Sequence, residues 1–192
     1  MKKGFTIVEV SILFVIFLIV AFLVAPLSLN DTLQAKNTSK WRYVQQEFSN
    51  ILQTIKMEDE DSALPFLAVL ESVFQDDIKD SITPYRITYM NGAYPPSMYR
   101  FNDFQTTYSN AVISIKTLEH PMDNVVALLM YDVNGKVGPN VWGKDVFGFN
   151  IYDNKFEPFG KHKPLNEQKK DCSGSGTGLY CSNYYLLGGS FD

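Results

Sequence analysis

The residues best suited to chemistry lie in one stretch, Tyr131 to Phe147, which reads Tyr-Asp-Val-Asn-Gly-Lys-Val-Gly-Pro-Asn-Val-Trp-Gly-Lys-Asp-Val-Phe. Asp132, Asn134, Asn140 and Asp145 offer side-chain oxygens, and the intervening glycines allow turns that add backbone carbonyls. Calcium accepts oxygen sets of this kind. The stretch is not an EF-hand, because the twelfth position counted from Asp132 is Gly143 and not a bidentate glutamate. A second reading uses the same residues: Asp and Asn side chains in a turn accept hydrogen bonds from their own backbone. Self-capping is the simpler of the two, and both stay open at this point.

Gly138 to Lys144 also reads G-x-x-x-x-G-K, the beginning of a phosphate-binding loop. The next position should be Ser or Thr to hold magnesium, and here it is Asp145. A carboxylate there opposes phosphate. The chain also continues as a strand and not as the helix whose N-terminus would receive the anion. The only histidines, His120 and His162, stand alone, and no G-x-S-x-G elbow is present. We therefore expect no enzyme and no bound nucleotide.

Cys172 and Cys181 have neither a C-x-x-C partner nor a neighbouring histidine, which argues against zinc. In an oxidising compartment they would close a small loop, a constraint of about 2.5–3 kcal/mol on chain-entropy grounds. Formal net charge is −4, and without Lys2 and Lys3 the side-chain total is −6. An acidic chain is not expected to bind nucleic acid. Lys161, Lys163, Lys169 and Lys170 form a local basic cluster that reads as a solvated loop.

Several elements must position these groups. Leu33, Trp41, Val44, Phe48, Ile51, Leu52 and Ile55 recur at three- and four-residue spacing, which predicts an amphipathic helix ending near Met57. A second helix is expected over 62–79, with Pro65 in its first turn. Residues 82–110 read as loop-rich, with one strand about Tyr85–Met90. Strands are expected at Ala111–Ile115, Asn124–Tyr131 and Asp145–Tyr152, with a turn at Asp132–Gly135. Together these predict an α+β fold, a long N-terminal helix packed against a small antiparallel sheet.

The start of the chain adds a different signal. A short basic leader, Met1–Gly4, precedes Phe5-Thr6-Ile7-Val8-Glu9 and then an uncharged apolar run from Val10 to Leu29. That run has the length of a membrane-crossing helix. Basic residues ahead of it predict a cytoplasmic N-terminus and an external remainder. Glu9 is then a costly ionisable group inside an apolar segment, which is a functional signal by default. A cleaved secretory signal fits poorly, because the leader is short and Ala25-Pro26-Leu27-Ser28 is a weak cleavage site.

Gly4-Phe5-Thr6-Ile7-Val8-Glu9 resembles the prepilin cleavage motif of type IV pilins and type II secretion pseudopilins. The resemblance implies cleavage between Gly4 and Phe5 by a dedicated peptidase, with methylation of the new N-terminus. It implies an assembly role for Glu9 at the fifth mature position, pairing with the α-amine of a neighbouring subunit. It also implies a helix-breaking proline at the twenty-second mature position, where Pro26 stands. The Asp132–Asn140 stretch resembles a signature of many pilin-like proteins, some of which bind calcium between their last strands.

The organisation that follows is a leader over 1–4, a transmembrane and filament-core helix over 5–29, its amphipathic continuation over 30–57 and an extracytoplasmic pilin-like domain over 58–192. The implied function is a structural subunit of a type IV pilus-like or secretion pseudopilus filament. The implied partners are other pilin subunits, the prepilin peptidase and an inner-membrane assembly platform. The expected location is the bacterial inner membrane, single-pass, with the domain in the periplasm or outside, and then a filament. Two rivals remain. One is a tip-located minor pilin that binds DNA, a surface or a secreted substrate. The other is an unrelated single-pass enzyme, for which Gly4 and Glu9 would be dispensable.

Overall fold

The structure is a computed structural model and describes residues 7–58 and 66–190. The chain divides into two compact units, Met1–Lys36 and Asn37–Asp192, with the boundary inside the first helix.

Helix α1 is Ile7–Glu58. In the first unit its described large apolar side chains include Ile7, Val10, Ile12–Val20 and Phe22, and the Ser11 hydroxyl donates to Ile7 O at 2.9 Å. Among the described residues no helix is long and apolar enough to cross a membrane. The expected transmembrane half and the single-pass inner-membrane location are corrected accordingly. Gly4 and Phe5 lie outside the described residues, and so do the side chains of Glu9 and Pro26.

The second unit is built on six strands: β1 (Ile78–Ile82), β2 (Phe104–Thr107), β3 (Val112–Met122), β4 (Val125–Asp132), β5 (Val146–Ile151) and β6 (Phe156–Pro158). They pair antiparallel in chain order, β1-β2-β3-β4-β5-β6. The sheet is thus larger than the small one expected, and it is accompanied by short helices: α2 (Phe66–Asp77), α3 (Leu165–Asp171) and α4 (Cys181–Tyr184).

Two differences from the expected elements have a local cause. Helix α2 stops at Asp77, and Ile78 turns directly into β1, where it pairs with Thr107 while Tyr108 N–H donates to Asp77 O. Sheet pairing therefore claims Ile78, and Lys79 falls at a register shift between the paired Ile78 and Asp80. The expected strand at Tyr85–Met90 does not form. Only Thr88 makes a bridge there, to Val141, and Tyr85, Tyr89, Tyr99 and Phe101 lie against one face of the sheet.

Side chains alternate across strands, so each face of the sheet has its own core. On one face Trp41, Val44 and Phe48 of α1 pack against Ala127, Leu129, Phe147, Phe149 and Ile151. Trp41 stacks on Phe147 with centroids 4.9 Å apart, and its Nε1–H donates to Ser182 O at 2.8 Å. On the other face Val112, Leu128, Met130 and Val146 meet Trp142, Phe101 and Phe159. Both faces are covered, which is why β4 is a nearly continuous buried run.

Candidate functional site

Strand β4 ends at Asp132 and β5 begins at Val146, so the stretch singled out in sequence is the β4–β5 connection. Two buried carboxylates shape it. Asp132 Oδ1 accepts the N–H of Asn134 at 3.1 Å, closing a turn. Asp145 accepts the N–H of Asn140 through Oδ2 at 2.8 Å and that of Val141 through Oδ1 at 2.7 Å. Val133 N–H donates to Asp145 O at 2.9 Å, which holds the two ends of the connection together.

The structure thus brings Asp132, Asn134, Asn140 and Asp145 into one cluster. Asn140, with its amide turned so that the nitrogen faces acceptors, donates to Gly135 O at 3.0 Å and to Asp132 Oδ2 at 3.3 Å. The Asn134 side chain hydrogen-bonds Asp145. Asn134 Oδ1 is buried without a hydrogen-bond partner.

Tyr85 completes the cluster and was not apparent from the sequence. Its hydroxyl donates to Asp132 Oδ2 at 2.5 Å. It comes from the irregular segment that crosses the sheet, 47 residues away in the chain. No local spacing could have linked the two.

The electrostatics follow from burial. Asp132 and Asp145 are both fully buried. Burial pushes the Asp132 carboxyl up to about 7, and the Asp145 charge adds to that, while the Tyr85 hydroxyl and the Asn134 and Gly135 N–H groups oppose it. Burial also raises Asp145, against the N–H groups of Val141 and Asn140 and the Asn134 amide. Tyr85 is held far above the ordinary phenol range, by burial first and then by the Asp132 charge. The hydrogen bonds of the cluster cross-link separate loop segments.

Among the described residues no group of three or more His, Cys, Asp or Glu side chains could hold a metal. A hard cation would instead need amide and backbone oxygens to supplement the two carboxylates. Asn134 Oδ1 is such an oxygen, whereas the Asn140 amide, turned to donate to Asp132 and Gly135, would have to rotate to present its own.

The connection leans on a second loop. Cys172 and Cys181 form the expected disulfide, with Cα atoms 5.3 Å apart. Asp171, which the sequence did not single out, organises the loop between them. It accepts Thr177 N–H at 2.8 Å, Thr177 Oγ1–H at 2.6 Å and Tyr180 N–H at 2.9 Å. Gly143 of the β4–β5 connection packs here with φ +80°, and a Cβ on it would lie 2.7 Å from Cys181 Sγ. Only glycine fits both the backbone angle and that approach. Lys144, the last residue of the phosphate-loop-like pattern, leads into β5 and not into a helix.

Comparison with family models, with curated proteins and with solved structures finds no match.

Proposed function

We propose that this chain is a structural subunit of a type IV pilin-like filament, cut between Gly4 and Phe5 and assembled through its N-terminal helix. The observation that supports the reading most is the bare apolar surface of the first unit. Ile7, Val10, Ile12–Val20 and Phe22 are 42–86% exposed. A helix apolar on every side requires burial, and each such side chain gains about 1.5–3 kcal/mol when covered. The same segment in other copies of the chain supplies that cover in a filament core. Glu9, paired with the α-amine of a neighbour, would set register more than it adds stability. The role is assembly and not catalysis.

The experiment uses the precursor made with and without its processing peptidase. The mature N-terminus is expected at Phe5, and Glu9→Ala is expected to be processed but to fail in filament formation. Normal assembly of Glu9→Ala would refute the charge pairing.

We also propose that the β4–β5 connection takes calcium when it is supplied, through Asp132, Asn134, Asn140 and Asp145. The partnerless Asn134 Oδ1 beside two buried carboxylates supports this. Bound calcium would offset the repulsion between Asp132 and Asp145 and hold the connection shut.

A further inference from the structure

The second unit contains a cavity of about 630 Å³ beside α1, lined from the α2–β1 junction and from the turn between β2 and β3. Its size is that of a small-ligand site. Phe48 is central to its apolar wall, edge-on to Tyr131 with centroids 6.0 Å apart and edge-on to Phe74 at 4.9 Å.

The charges lining it are unequal. Glu47 enters from α1 and Asp77 from the end of α2. Tyr43, one turn before Glu47, hydrogen-bonds the Glu47 carboxylate. The lining cation is Lys40, and its ammonium donates to Val133 O at 2.8 Å. Lys40 sits about two helical turns, roughly 10 Å, from Glu47 along α1. The cavity therefore has an acidic end and an end where the cation is engaged with backbone. Both carboxylates act on the aromatic wall: after burial, the charges of Glu47 and Asp77 help to hold the Tyr131 hydroxyl above its ordinary range, although a Ser109 hydrogen bond pulls it down.

We propose that this cavity binds an organic cation, an ammonium group carried on an apolar body. The body lies against Phe48 and Tyr131, and the ammonium faces Glu47 and Asp77. Ring faces attract a cation through their quadrupole, and two carboxylates add Coulomb attraction that a neutral isostere does not receive. An anionic ligand of the same shape is repelled. The site does not depend on the filament reading, since every residue in it belongs to the second unit.

The test is titration of the full chain, kept dispersed in non-ionic detergent, with three probes of one shape: phenethylammonium, phenethyl alcohol and phenylacetate. Phenethylammonium is expected to bind saturably and about tenfold more tightly than the alcohol, with phenylacetate weakest. In the double variant Glu47→Gln, Asp77→Asn that preference is expected to vanish, with the circular dichroism and melting temperature of the parent retained. Equal binding of the three probes, no saturable binding of phenethylammonium, or a preference that survives in the double variant would each overturn the proposal.

Discussion

The Tyr85 hydroxyl donates to Asp132 Oδ2 at 2.5 Å and ties the irregular segment that covers the sheet to the end of β4. Tyr85 also meets Phe104 edge-on with centroids 4.9 Å apart, so the ring is anchored apart from its hydroxyl. Tyr85→Phe should keep the ring in place and leave Asp132 short of one donor. A buried hydrogen bond to a charged group contributes about 1.5–3 kcal/mol. Chemical denaturation should show a loss of that order, with the slope of the unfolding transition unchanged.

The raised carboxyl of Asp132 makes stability depend on pH. Its folded value, about 7, lies above its ordinary 3.8. The folded state thus binds the proton more tightly than the unfolded state does. The contribution is full below about 3.8 and is lost as pH rises through about 7. Asp145 is shifted in the same direction by burial and adds to the trend. Without added calcium, the parent should lose stability relative to Asp132→Asn between pH 4 and pH 7, as read by melting temperature across a buffer series. Parallel curves for the two proteins would contradict the shift.

The proposed calcium would act in the opposite sense. Its carboxylate ligands must be ionised, so its effect should be larger at pH 8 than at pH 5. At a free concentration of ~100 Kd the stabilisation is about 2.7 kcal/mol. Differential scanning fluorimetry with calcium and then with chelator should show a reversible rise in melting temperature that Asp145→Asn abolishes. No shift at pH 8 would leave the four residues as hydrogen-bonding groups alone.

Trp41 carries the docking of α1 on the sheet. It is fully buried, stacked on Phe147, 4.7 Å from the Phe149 ring centroid and hydrogen-bonded to Ser182 O. Trp41→Ala should cost about 3–5 kcal/mol, measured by denaturation of the full chain. Tyr94→Ala, at an exposed ring, should cost far less and serves as the control.

These particulars show what the sequence could convey. The three- and four-residue spacing of Trp41, Val44 and Phe48 is a local pattern, and those side chains are buried. The oxygen cluster was readable because Asp132, Asn134, Asn140 and Asp145 fall within one connection. The disulfide was readable because only two cysteines are present. Tyr85 and Asp171 were not readable. One acts through a contact 47 residues away, and the other holds the Thr177 and Tyr180 N–H groups and the Thr177 hydroxyl, a set with no sequence signature. The first two residues of β1 were read as the end of a helix because the pairing of Ile78 with Thr107 of β2 overrides local preference. The transmembrane expectation came from hydropathy, which records that a helix is apolar and not what covers it.

The most direct measurement of the central claim is the mass of the mature chain, purified from cells with and without the processing peptidase. The account predicts loss of Met1–Gly4 and a new N-terminus at Phe5, only when the peptidase is present. An uncut chain, or one cut near Ala25, would contradict it.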